Sequence, residues 1–153
     1  MSLSRRVYSV FGVILLVELG LQFYLIAAGA LSVWAAQDNA GSVYTAFKNG
    51  DQFASLHGLI GTFVIPITIL LLIALAFAAR LSRRDKGQTA GLFGLLVIQF
   101  LLGVIGSSGS TWGAVIGGLH GLNALVIVAA AGTLVFRTWA LSGSARSTAD
   151  LLP

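Results

Sequence analysis

The longest stretch without a formal charge runs from Gly87 to Phe136, fifty residues in which His120 is the only histidine. A membrane-spanning helix needs about 20 apolar residues, so this stretch can cross a bilayer twice. Two more apolar runs cover 52–79 and 7–37, and only Glu18 interrupts the latter. We therefore predict a single transmembrane domain, an all-α integral membrane four-helix bundle with helices over about 8–35, 52–80, 89–106 and 111–140.

The segments outside these helices are polar. The connection 37–51 contains Asn49-Gly50, which is typical of a turn, so we expect a loop there. The tail 141–153 is rich in serine, alanine and threonine, and we expect it to be frayed.

Composition and charge agree with a membrane location. The chain is 57% hydrophobic and 9% charged, which leaves too little polar surface for a soluble globule. The formal charge of +4 does not indicate nucleic acid, because the cations collect at the helix ends that four spans place on one side. These cations are Arg5, Arg6, Arg80, Arg83, Arg84, Lys86, Arg137 and Arg146, with Lys48 alone on the other side. We predict a multi-pass plasma (inner) membrane protein with both termini in the cytoplasm.

The chain contains an internal repeat. Gln22-Phe23 recurs as Gln99-Phe100, and each glutamine is followed seven residues later by glycine. Leu-His-Gly-Leu occurs at 56–59 and again at 119–122. These matches predict two helical hairpins, related as parallel repeats about an axis along the membrane normal.

The repeat puts His57 and His120, the only histidines, at similar depth in the outer half of the bundle. Two opposed imidazoles can supply both axial ligands of one haem b, whose flat macrocycle needs space beside them. Asn123, one turn from His120, is placed to orient a ligand or a propionate. Glycines that would leave such space are Gly58, Gly61, Gly113, Gly117 and Gly121.

Each of these features has a structural alternative. Glycines at four-residue spacing also let helix backbones approach each other in lipid, and histidine, glutamine and asparagine can simply hydrogen-bond a neighbouring helix. Glu18, with Gln22 one turn later, is either a proton relay or quinone contact, or a neutral carboxyl satisfied by its neighbours. With no cysteine, the chain cannot attach haem through a C-x-x-C-H sequence.

The second hairpin resembles part of a known family. The run Val97-Ile-Gln-Phe-Leu-Leu-Gly103, a Ser/Gly turn, and then Leu119-His120 with Asn123-Ala124 are similar to a hairpin of haem A synthase. The whole chain resembles one of the two four-helix haem-binding bundles of that enzyme. It equally resembles small four-helix membrane proteins that carry a Leu-His-x-x-Asn-Ala segment. The resemblance implies haem binding by histidine pairs.

The chain departs from that family beside both histidines. Haem A synthase has a glutamate three residues before a ligand histidine, where this chain has Ala54 and Gly117. Gly58 and Gly121 replace the arginine that follows a histidine there. We therefore do not expect haem A synthase activity.

Two functions follow from the sequence. The first is a b-type haem protein that transfers electrons with quinol or an outer acceptor, such as a redox partner protein, or that senses or carries haem. The alternative is a haem-free transporter or accessory subunit of a membrane complex. The sequence leaves enzymatic activity and the oligomeric state open.

Overall fold

The structure is a computed structural model that describes residues 3–38 and 43–149. Its helices are α1 (Leu3–Asp38), α2 (Val43–Leu59), a π-helical turn (Ile60–Val64), α3 (Ile65–Ala78), α4 (Arg83–Gly106) and α5 (Thr111–Ala149). No strand occurs within these ranges. The π turn joins α2 to α3 without a break, so the chain forms four long helices. All four are long and apolar enough to cross a membrane.

The chain divides into two compact units. The large unit comprises the residues up to Leu16 and those from Thr68 onward, and the small unit is Val17–Ile67. Large apolar side chains lie exposed along every long helix, for example Val17, Leu70, Val97 and Leu122. An exterior of this kind is expected where lipid rather than water covers the surface.

The core of the large unit takes residues from α1, α3, α4 and α5. Its largest fully buried side chains are Leu15, Ile69, Thr89, Leu92 and Ile127. The hydroxyl groups of Tyr8 and Thr89 form a buried hydrogen bond of 2.8 Å between α1 and α4. Helices α4 and α5 form an antiparallel hairpin.

The turn between α3 and α4 is tighter than the sequence predicts, because α4 begins at Arg83 rather than near 89. Ser82 caps the helix: its Oγ accepts from the backbone N–H of Asp85 at 3.1 Å and donates to the Asp85 carboxylate at 2.6 Å. Arg80, two residues after the end of α3, has a φ of 50°, in the left-handed region. The N–H of Leu81 then reaches the carbonyl oxygen of Ala76 at 3.1 Å, as in a helix C-terminal Schellman motif.

The start of α2 and the end of α5 also differ from the predicted helix bounds. Helix α2 begins at Val43, so most of the predicted loop 37–51 is helical, and residues 39–42 lie outside the described residues. Gly50 lies within α2 and is buried against α1 instead of forming a turn. The backbone of α5 is helical to Ala149, past the predicted end at 140, and residues 150–153 are not described.

The small unit contains the second part of α1, α2 and the π turn. The N–H of Ile65 bonds to the carbonyl oxygen of Ile60, five residues earlier. Pro66 follows directly, and a proline cannot donate to the preceding turn and collides with its carbonyl. A π turn at this point accommodates the proline without ending the helix.

Candidate functional site

The ring of His120 is part-buried against α4 within the large unit. Its Nδ1 atom lies 2.9 Å from the backbone carbonyl oxygen of Gln99. A carbonyl oxygen can only accept, so Nδ1 carries the donated proton. In the neutral ring the lone pair then belongs to Nε2. Metal-binding histidines are commonly oriented in this way, with one ring nitrogen donating to a backbone carbonyl.

Gly103 lies one turn after Gln99 on α4 and faces the same ring. A Cβ atom at Gly103 would come within 3.2 Å of both Cε1 and Nδ1 of His120. That distance is shorter than an ordinary van der Waals contact between such atoms. Glycine at this position therefore lets the imidazole lie directly on the α4 backbone.

Asn123 joins the same two helices one turn further along α5. Its Nδ2 donates to the carbonyl oxygen of Leu95 at 3.0 Å and to the side-chain Oε1 of Gln99 at 2.8 Å. Gln99 thus accepts a hydrogen bond from each residue. Its backbone oxygen accepts from His120, and its side-chain oxygen accepts from Asn123. Three hydrogen bonds between α4 and α5 fix the rotation of the His120-bearing helix face.

The glycines predicted to leave space near His120 differ in what surrounds them. A Cβ at Gly106 would lie 3.0 Å from the Cα of Gly117, and one at Gly113 would lie 3.1 Å from the carbonyl oxygen of Gly106. Gly106 and Gly113 therefore allow close backbone packing, the structural alternative considered above, whereas a Cβ at Gly117 itself would meet nothing within 4 Å. Gly121 is exposed, with no atom within 4 Å of its Cβ position, so it leaves space beside His120.

The small unit contains His57, with its Nδ1 buried. Gly58 is exposed and its Cβ position is open, whereas a Cβ at Gly61 would meet Oε1 of Gln22 at 3.5 Å, an ordinary contact. Oε2 of Glu18 is also buried. Nε2 of Gln22 is buried without a hydrogen-bond partner among the described residues. The Oε1 distance shows that the Gln22 side chain lies beside the π turn, at Gly61.

In each hairpin, two glycines at corresponding positions lie opposite each other on the two helices. A Cβ at Gly50 would lie 3.2 Å from the carbonyl oxygen of Gly29, and one at Gly113 would lie 3.1 Å from that of Gly106. Gly50 precedes His57 by seven residues, and Gly113 precedes His120 by seven. Seven residues are close to two helical turns, so each glycine lies on the same helix face as its histidine.

The structure thus brings His120 and Asn123 together with Gln99, and Gly61 together with Gln22. Gly103 is a site residue that the sequence pattern alone does not predict, although its position one turn after Gln99 is a usable signal. Among residues 3–38 and 43–149, no group of three or more histidine, cysteine, aspartate or glutamate side chains could hold a metal ion.

Residues 44–106 match a family of unknown function (DUF6220). The matched segment runs from the start of α2 to the end of α4, so it contains His57 and Gln99 but not His120. No curated protein matches the chain. No solved structure matches it either.

Proposed function

We propose that this chain is a multi-pass plasma membrane protein that binds one haem b through His57 and His120. The observation that carries the proposal is the His120 ring, held on Gly103 with its Nδ1 donating to the backbone oxygen of Gln99. This contact orients the ring and leaves the lone pair on Nε2, the requirement for an axial imidazole ligand.

The other residues near His120 fit the same role. Asn123 and Gln99 hold α5 in register with α4, so the imidazole has a rigid support. The open position at Gly121 leaves room on the helix surface next to the ring. Gly58 leaves similar room beside His57. The Cβ position of Gly117, one turn before His120, is also open, whereas Gly61 faces Gln22 and we assign it no contact with the macrocycle.

The choice of His57 as the second axial ligand rests on the sequence repeat. The corresponding glycine pairs, Gly29 with Gly50 and Gly106 with Gly113, support that repeat because they close both hairpins at the same distance from glutamine and histidine. In this proposal the two hairpins are parallel repeats with both termini cytoplasmic. The clustering of cations at the predicted inner helix ends supports the orientation.

Haem b supplies one-electron redox chemistry when it is bound, and two imidazole ligands favour electron transfer over oxygen activation. We therefore propose electron transfer with quinol or an outer acceptor protein, with haem sensing or carriage as the other use of such a site. Hydroxylation of the kind performed by haem A synthase is not proposed, since Ala54 and Gly117 replace the glutamate of that family.

The test is the absorption spectrum of protein purified from haem-replete cells. We expect a Soret band, and sharp α and β bands after reduction, that are lost in both His57→Ala and His120→Ala. Thr133→Ala is the matched control on the same helix, because the Thr133 hydroxyl donates to the carbonyl oxygen of Ala129 within α5 and Thr133 has no part in the support of the imidazole. It should keep the bands. Colourless wild-type protein would rule out the proposal.

One observation favours a second candidate, a haem-free transporter or accessory subunit. The hydrogen bonds of His120 and Asn123 to α4 already join the two helices without any cofactor. If packing is their whole role, His120→Ala should lower thermal stability in detergent while the wild-type spectrum shows no haem.

A further inference from the structure

The cytoplasmic half of the α4/α5 hairpin carries an open groove of about 330 Å³. Six residues line it: Gln88, Gly91, Leu92 and Leu95 from α4, and Ala130 and Thr133 from α5. Its volume is at the lower end of the range of small-molecule sites, about 300–1,000 Å³. Nothing within 4 Å would meet a Cβ at Gly91, so this glycine deepens the groove.

The cytoplasmic end of the groove is basic. Gln88, one of the lining residues, accepts a hydrogen bond of 2.6 Å from Nη1 of Arg137. Arg137 lies one turn after Thr133 on α5, and exposed Arg84 lies one turn before Gln88 on α4. The two arginines therefore extend the two walls of the groove toward the cytoplasm.

One acid lies near this end. Asp85 forms an ion pair of 3.1 Å with Nη2 of Arg137 and also takes part in the Ser82 cap. It offsets one of the two arginine charges, so the end of the groove keeps a net positive charge. The side chain of Arg137 is 29% exposed in this pair, so it can still contact a ligand.

We propose that this groove binds one anionic phospholipid, with an acyl chain along Gly91 and Leu95 and the phosphate between Arg84 and Arg137. The groove lies on two helices that can span a bilayer, so its natural occupant there is a lipid chain. Basic pockets between membrane helices on the cytoplasmic side are typical sites for anionic headgroups. The site depends on the membrane location in the proposed function but not on haem.

Native mass spectrometry of the delipidated full-length protein tests the site, with phosphatidylglycerol or phosphatidylcholine of equal chain length as the probe. We expect phosphatidylglycerol to bind about tenfold more tightly. Arg84→Gln should weaken its binding about fivefold. Arg83→Gln removes the same charge from a different helix face and should leave binding unchanged.

The apolar part of the groove has its own variants. Gly91→Leu fills the groove and should reduce binding of both lipids about tenfold or more, because the chain loses its apolar contact. Ala90→Leu adds similar bulk on the opposite face of α4 and is the control. Ala130→Leu enters the groove from α5 and replaces Gly91→Leu if that variant does not fold, as judged by helical circular dichroism and gel filtration.

Three results would overturn the proposal. Equal binding of the two lipids would show that the groove does not recognise the anionic headgroup. Equal losses of affinity in Arg83→Gln and Arg84→Gln would show that the positive charge of the whole region, and not a specific site, attracts the lipid. A dimer that Gly91→Leu dissociates, with no lipid bound, would mean that a second copy covers the groove. Each result is independent of the haem spectrum, so the lipid site can fail while the proposed function stands.

Discussion

The contact between Gly103 and His120 makes Gly103→Ala the most informative single substitution. The added methyl would lie 3.2 Å from Cε1 and Nδ1 of the ring. Helix α4 is fixed at this point by its own hydrogen bonds, so the imidazole must move by a few tenths of an ångström. That movement lengthens the 2.9 Å hydrogen bond from Nδ1 to the Gln99 oxygen.

Two opposing effects determine the outcome. Weakening the hydrogen bond lowers the free energy of unfolding by up to about 1 kcal/mol. Alanine in place of glycine inside a helix raises it by about 1 kcal/mol. The overall stability of Gly103→Ala should therefore stay close to that of the wild type. Haem affinity has no such compensation, and loss of a histidine's supporting contact typically costs about 10- to 100-fold. We expect a loss of that size.

The assay is haem titration of the apoprotein in detergent, followed by the Soret band, with thermal unfolding in parallel. Gly94→Ala is the matched control, since nothing within 4 Å would meet its methyl group. It should gain up to about 1 kcal/mol of stability and bind haem normally. Wild-type haem affinity in Gly103→Ala would refute the reasoning. In the apoprotein, ¹⁵N chemical shifts that put the His120 proton on Nε2 would also refute it.

Three further predictions concern stability. Tyr8→Phe removes the buried 2.8 Å hydrogen bond to Thr89 and should lower the free energy of unfolding by about 1 kcal/mol; denaturant titration in detergent would show an unchanged midpoint if the bond contributes nothing. Arg80→Gly should raise that free energy by about 0.5–1 kcal/mol, because glycine adopts the φ of 50° without strain; a lower melting temperature would contradict this. Gly50→Leu and Gly113→Leu should each cost about 1–3 kcal/mol, because both push a side chain onto a facing carbonyl; a large cost for only one of them would argue against equivalent hairpins.

The amino-acid sequence determined the number and nature of the long helices. Three apolar runs, one of them long enough to cross a bilayer twice, provide four spans, and within such runs the backbone must satisfy its hydrogen bonds internally, which favours helices. The sequence also identified the polar residues that join α4 to α5, because His120, Gln99 and Asn123 are rare types in apolar helices.

Local sequence signals predict the wrong structure where a contact in the folded chain decides it. Asn49-Gly50 is typical of a turn, but Gly50 is helical because it packs against Gly29 across the hairpin. The predicted start near 89 leaves the basic residues after Ser82 outside the helix, although the Ser82 and Asp85 side chains start α4 there.

The tertiary structure alone decided how the histidine is supported. The side-chain amide makes Gln99 conspicuous in the sequence and accepts from Asn123, yet the group that accepts from His120 is the backbone carbonyl of Gln99. A backbone carbonyl is the same in every residue, so no residue pattern marks which one will accept. Gly103 likewise matters because of the ring that faces it. The rotation and register of α5 against α4 set both contacts, and these depend on packing along the whole hairpin rather than on any local stretch of sequence.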